Sequence, residues 1–237
     1  MGDFSQSVAA AIELIRHADA ALLRTVGLSL GVSGLACVFA GGLGLLGGAW
    51  LAVARFPGHR LLVLLLNTLL ALPSVVVGLA VYLLLSRSGP LGSWGILFTP
   101  AAMVIAQTIL VLPIVAALSR QLVGDSLRDG GDQLRSMGAG PLVCALLMLL
   151  HDRRAVVTVL LTAFGRAIAE VGAVMIVGGN IDGVTRVMTT SIALETSKGD
   201  QPLAMALGLV LLAVVGLINA GIGLVQRGQG SAWAGVR

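Results

Sequence analysis

Apolar residues are grouped in long blocks along this chain, and polar residues are confined to the gaps between them. Mostly apolar runs occupy Val26–Ala54, Leu61–Ser86, Trp94–Leu118, Ala155–Gly178 and Leu203–Val225. Each is longer than the about 20 residues a helix needs to cross a bilayer. Barrel strands would instead be short and alternating. The pattern therefore predicts an all-α protein with about five transmembrane helices. Ahead of them, residues 4–23 place Val8, Ile12 and Ile15 on one helical face, with Glu13, Arg16 and Asp19 elsewhere. That predicts an amphipathic helix lying in the membrane interface. Its start is not basic and its apolar stretch is interrupted, unlike a cleaved signal peptide. The organisation expected is an interfacial helix over 1–25, a transmembrane domain over 26–228 and a tail over 229–237.

Composition supports the membrane assignment. Hydrophobic residues make up 57% of the 237 and charged residues 11%, against roughly 25% charged in soluble domains. So little charge leaves a water-facing surface uncovered, and the protein is expected to be integral to a membrane. Membrane lipid is then a partner, and nucleic acid is not. The 32 glycines suit closely packed membrane helices. The Gly44–Gly48 spacing is ascribed to chance in so glycine-rich a chain. Cys37 and Cys144 are read as packing residues, because two thiols make neither a disulfide framework nor a zinc site.

Orientation follows from Lys and Arg near the spans. One side collects Arg55, Arg60, Arg120, Arg128, Arg135, Arg153, Arg154, Arg227 and Arg237; the other has Arg16, Arg24, Arg87, Arg186 and Lys198. Nine against five places the first set in the cytoplasm. The N-terminus is then outside, the C-terminus inside, and the protein a multi-pass component of the cell (inner) membrane.

Pro73 and Pro113 interrupt the second and third runs. Each removes a backbone donor and is expected to kink its helix, as tolerated curvature or as a bend beside a pathway. The polar insert, 119–154, is the long interruption, and inserts of that size are usually functional. Gly124, Gly130, Gly131, Gly138 and Gly140 are expected to divide it into short helices.

The insert resembles the cytoplasmic signature of ABC importer permeases, in which EAA is followed by three residues, glycine, nine residues and I-x-L-P. With Gly138 as the glycine, Asp132 takes the acidic place, Gln133 and Leu134 replace the alanines, and Met148, Leu150 and His151 take the I, L and P places. Two longer stretches, residues 71–115 and 164–200, resemble permeases of tungstate/molybdate-type ABC importers. The second contains RAIAEVG, GGN and TRVMTT in order. The resemblance, over about residues 60–225, implies a type I importer permease fold. It also implies a second copy of this chain, a cytosolic ABC ATPase dimer and an extracytoplasmic oxyanion-binding protein. ATPase coupling would fall on Asp132, Gln133, Arg135, Ser136 and Gly138.

The chain itself cannot supply a Walker A site. That motif needs Gly-Lys-Ser/Thr, whereas Lys198 is the sole lysine and lies between Ser197 and Gly199. No cofactor is expected here; ATP and magnesium belong to the partner ATPase. His17, His59 and His151 lack ligand spacing, so no metal site is expected. No catalytic residue is assigned.

One charged pair lies inside a span. Counting about 1.5 Å per residue from Ala155, Arg166 is roughly 16 Å in and Glu170 roughly 22 Å. An arginine near mid-bilayer costs about 2.5–3.5 kcal/mol, and an i,i+4 pair returns only about 0.2–0.5 kcal/mol. Additional partners are expected, such as Gln107, Thr108 or water. Two roles fit: the charges lock helices together, or Arg166 attracts a passing dianion while Glu170 restrains it. Beyond this span, Asn180, Thr185, Arg186, Thr189, Thr190 and Ser191 offer donors for an oxyanion at an outer gate, for docking the binding protein, or for a plain re-entrant cap.

The sequence reading is thus the permease of an ATP-driven tungstate or molybdate importer. Its rivals are a permease for another anion such as sulfate, and an ion-coupled carrier using Arg166 and Glu170.

Overall fold

The computed structural model describes residues 8–9, 12–13, 16 and 20–233, the side chains of Arg135 and of 225–233 excepted. No strand occurs among the described residues, and the helices follow in order. They are α1 (Ala20–Val53), α2 (His59–Leu69), α3 (Ser74–Leu85), a 3₁₀ turn (Gly92–Trp94), α4 (Pro100–Ser136), α5 (Pro141–His151), α6 (Arg153–Ile168), α7 (Gly172–Gly178), α8 (Met188–Lys198) and α9 (Gln201–Trp233). Helix is the expected outcome for such runs, because it satisfies every backbone group within one segment where no water is at hand.

Among the described residues three helices, α1, α4 and α9, are long and apolar enough to cross a membrane. The second and fourth apolar runs are not single helices. Each is a bent pair that passes as one span: α2 with α3 at 101°, and α6 with α7 at 59°. The count reaches five when each pair is taken as one.

Pro73 explains the sharper bend. It disfavours helical geometry at Leu72, has no N–H, and sits extended (φ −64°, ψ 122°) just before α3. Pro113, by contrast, lies inside the continuous α4 and starts no new element. The expected start of the third span at Trp94 also moves. Trp94 lies in the 3₁₀ turn, and the helix begins at Pro100, where proline's fixed φ suits a first turn.

The glycine-rich insert is corrected more fundamentally. Gly124, Gly130 and Gly131 all lie inside α4, which runs unbroken to Ser136. An interior glycine costs only about 1 kcal/mol, and packing around Val123 continues along this part of the helix. Buried Val123, Ala49 and Ala145 form a cluster flanked by Ala52, Val53, Leu127 and Leu149. Gly138 does end the helix, at φ 83°. The Ala139 amide donates back to the Leu134 carbonyl at 3.1 Å, which closes a Schellman turn around a left-handed residue.

The expected boundaries at 25/26 and 228/229 coincide with no element end, since α1 begins at Ala20 and α9 continues to Trp233. Of the amphipathic stretch, Val8, Ile12, Glu13 and Arg16 are helical, while Ile15, His17 and Asp19 lie outside the described residues, as does Arg237.

The chain divides into two compact units. One holds residues up to Ala36, Pro73–Gln107 and Gly165–Leu217; the other holds Cys37–Leu72, Thr108–Phe164 and the chain from Ile218. In the first unit, α3 packs on α7. A Cβ on Gly78 would stand 2.7 Å from the Ala173 Cα, so a side chain there would part the helices. In the second unit, a Cβ on Gly44 would stand 2.8 Å from Val115 Cβ, and one on Gly48 would collide with the Ala116 carbonyl. The Gly44–Gly48 spacing, expected to be incidental, is the surface on which α1 meets α4. Close approach of this kind is what small residues permit.

Candidate functional site

The break between α6 and α7 draws buried polar groups from several elements of the first unit: Gln107, Glu170 and Thr189 meet there. The α6 helix ends at Ile168, and residues 169–171 are non-helical before α7 starts at Gly172. A break frees backbone groups that must find other partners. Here they do. The Ala167 carbonyl accepts from the Glu170 amide at 3.1 Å and from Gln107 Nε2 at 3.0 Å. The Glu170 carbonyl accepts from the Thr189 hydroxyl at 2.8 Å.

The Glu170 carboxylate fills the inside of the bend. Its Oε2 accepts from Arg166 Nη1 at 2.7 Å, and its Oε1 from the Ala173 amide at 3.4 Å. The Ser74 hydroxyl also donates to it. One carboxylate thus ties together the end of α6 and the starts of α3 and α7, where helix N-termini favour negative charge. The two partners differ in exposure: the Glu170 side chain is 4% exposed and that of Arg166 45%. Glu170 is an interior fastener. Arg166 keeps nearly half of its surface open, which is where an anion could meet it.

Gln107, expected near the pair, reaches the backbone beside Arg166 rather than either charge. Its Oε1 is buried without a hydrogen-bond partner. Thr108 belongs to the second unit.

The polar residues after α7 are largely buried. Thr189, Thr190 and Ser191 are buried, and the first two spend their hydroxyls inside the chain. Thr189 holds Glu170, and Thr190 Oγ1 accepts from the Val187 amide at 3.1 Å, closing the start of α8. Thr185, also buried, donates to the Gly178 carbonyl at 2.6 Å. Asn180 sits left-handed at φ 50° and its Nδ2 donates to the Thr190 carbonyl at 3.4 Å. The hydroxyls of Thr189 and Thr190 are thus spent within the chain, which accords with the plain re-entrant cap among the readings expected for this segment. They lie in the interior because the turn and helix they belong to have their own amides and carbonyls to satisfy. Arg186 differs. Its Nη1 pairs with Asp182 at 3.1 Å, and its Nε has no partner.

The expected coupling residues share the polar end of the second unit. Asp132, Gln133 and Ser136 are on the last turns of α4, where Ser136 Oγ donates to the Asp132 and Gln133 carbonyls at 2.8 and 2.9 Å. Gly138 closes the turn. Arg135 is helical there. Gln133 lines a groove of about 680 Å³ with Asp129, Leu134, Met148 and His151. The groove's far end is fastened by the Ser126 hydroxyl, which donates to Asp152.

Several participants were not singled out from the sequence. Ser29 accepts the first amide of α8, from Met188, at 2.7 Å; Ser74 holds Glu170; Met137, at the α4–α5 turn, is 82% exposed. Ser29 and Ser74 are hydroxyls standing in apolar runs, which is the only local sign they give.

No protein-family model matches the chain. It is 42% identical over 222 residues to the tungstate uptake system permease protein TupB of Peptoclostridium acidaminophilum, covering 92% of this chain and 96% of that one. It is 42% identical over 204 residues to a probable anion ABC transporter permease protein of Haloferax volcanii, covering 84% and 88%. The tungstate uptake system permease protein TupB of Campylobacter jejuni is 39% identical over 209 residues, covering 88% and 87%. Similarity at this level and nearly from end to end, in an all-helical chain with three unbroken and two bent apolar spans, settles the family. The chain belongs to the tungstate uptake permeases, membrane subunits of ABC transporters.

Proposed function

We propose that this chain is the transmembrane permease of an ATP-driven tungstate importer. It works as a homodimer, with a cytosolic ABC ATPase pair on one side and an extracytoplasmic tungstate-binding protein on the other. ATP and magnesium are bound by the ATPase, not by this chain. The end-to-end similarity to proteins named tungstate uptake permeases carries the reading. The arginine bias supports an N-terminus outside and a C-terminus in the cytoplasm, which puts the α4–α5 turn in the cytosol.

In this scheme the ATPase grips residues 132–138. Because α4 runs unbroken from Pro100 to Ser136, force applied at its polar end is carried into the apolar part of the same rod. The exposed Met137 is an apolar knob suited to a cleft on the ATPase. Only 11% of the residues in the apolar stretch of α9 are buried within this chain, which leaves much of that helix for lipid or the second copy. Arg166 offers positive potential to the dianion, and Glu170 holds the bend in shape behind it.

The test is reconstitution of the chain with its ATPase and binding protein in sealed vesicles. ATP-driven uptake of tungstate in preference to sulfate is expected, with ATP hydrolysis stimulated by loaded binding protein. Asp132→Arg should leave the ATPase hydrolysing while uptake falls; undiminished uptake would remove the coupling role. A preference for sulfate would replace the substrate. Uptake driven by an ion gradient without ATP would replace the class.

A further inference from the structure

Away from the Glu170 break, the first unit has a second concentration of positive charge. A cavity of about 280 Å³ is lined by Arg24 and Thr25 near the start of α1, and by Asp182, Gly183 and Arg186 from the turn before α8. Among the described residues, two guanidiniums face one carboxylate there, an excess of one positive charge.

The donors in it are under-used. Arg186 is 20% exposed at its side chain, yet its Nε is buried without a partner. A buried donor without a protein partner calls for an explanation, and a site that binds water or an anion supplies one. Among the described residues no acid pairs with Arg24. Asp182 is 81% exposed, and an ion pair so open to water holds weakly; a dianion can displace it.

The turn is shaped to bring the two arginines together. Gly183 has φ 68°, and a Cβ there would stand 3.3 Å from Arg24 Nη1. Glycine both tolerates this backbone and leaves room for the guanidinium. The amides of Asp182 and Gly183 donate to no protein acceptor among the described residues, and amides exposed in such a turn form an anion-binding concavity. Planar guanidiniums match two oxygens of a tetrahedral anion at once.

We propose that Arg24, Arg186 and the Asp182–Gly183 turn form a capture site for a tetrahedral oxyanion dianion, with Asp182 as its displaceable counter-charge. The proposal rests on the tungstate-permease reading for the identity of the anion. It assigns the site to a free dianion rather than to a phospholipid phosphate, which has the same tetrahedral chemistry. Capture is separate from the Arg166–Glu170 pair, and the carboxylate in the cavity keeps it weak enough to release.

Equilibrium dialysis of labelled tungstate against the full chain in phosphatidylcholine nanodiscs tests it. Saturable binding is expected, weakened about tenfold or more in Arg24→Gln, as for loss of a charged hydrogen-bond donor. Arg24 is exposed, so this variant has no fold to lose, and Arg24→Lys should recover part of the affinity. Asp182→Asn should tighten binding by about threefold, the size expected for removing a weak competing carboxylate; a purely structural arginine pair would show no gain. No saturable binding, or equal affinity in Arg24→Gln, overturns the site. Loss of retained phosphatidylglycerol in Arg24→Gln without any tungstate binding assigns the cavity to lipid and also overturns it. ATP-driven uptake by the whole transporter is measured alongside. Uptake with no Arg24-dependent binding removes the capture site and leaves the permease reading; Arg24-dependent binding without uptake does the reverse.

Discussion

The two bends in this molecule are built in opposite ways. At residues 70–73 the chain turns with its own backbone: the Ala71 and Leu72 amides donate to the Thr68 and Leu69 carbonyls, and the Val76 and Val77 amides to Pro73. Everything needed is within a few residues. At 169–171 the partners come from elsewhere: Gln107, Thr189, Ser74 and the Arg166–Glu170 pair. A bend written by proline stands by itself. A bend held by long-range polar groups depends on the packing of the whole unit, and that is the kind of place where a helix can be both fixed and adjustable.

Removing the fasteners one at a time should reveal the difference. Glu170→Ala is expected to be the most damaging, because it leaves the buried Ala173 amide without an acceptor, at about 1–3 kcal/mol, and takes the partner from the half-buried Ser74 hydroxyl and from Arg166. In a thermal melt, each kcal/mol corresponds to about 2–4 °C for a chain of this size. Thr189→Val should cost less, about 1 kcal/mol, by depriving the Glu170 carbonyl of its donor. Pro73→Ala should fall within about 1 kcal/mol of the parent, since proline donates no hydrogen bond there and alanine keeps the carbonyl that accepts from the Val76 and Val77 amides. A Pro73→Ala loss as large as that of Glu170→Ala would erase the comparison.

Arg166→Gln sharpens the other side of it. If the 45% of the arginine side chain left exposed faces a water-filled pathway, the ion pair should contribute no more than about 1 kcal/mol to stability. If Arg166 attracts the anion, the KM for uptake should rise while the melting temperature barely moves. A large fall in melting temperature with unchanged KM would make the arginine a fastener like Glu170.

The sequence made the spans legible because twenty-odd apolar residues in a row have few other fates. Pro73 announced its bend. The second break had only the buried charge pair as a sign, and its other partners are 60 residues away at Gln107 and 19 away at Thr189, distances at which local pattern says nothing. Three glycines in the insert look like breaks in sequence, whereas continued packing around Val123 keeps α4 whole. Thr189, Thr190 and Ser191 looked like surface donors because hydroxyls show no difference in sequence between binding a ligand and closing a helix start. Gly44 and Gly48 looked incidental because nothing in α1 records that α4 lies against them.

The proposal that the α4–α5 turn is driven from the cytosol is tested most directly by a thiol at Met137. The native thiols, Cys37 and Cys144, are buried, so Met137→Cys provides an accessible one at an exposed position. In intact cells, a membrane-impermeant maleimide should leave it unlabelled, and in opened vesicles it should label and crosslink to the ATPase. Labelling in intact cells would place that turn on the outside and contradict the account.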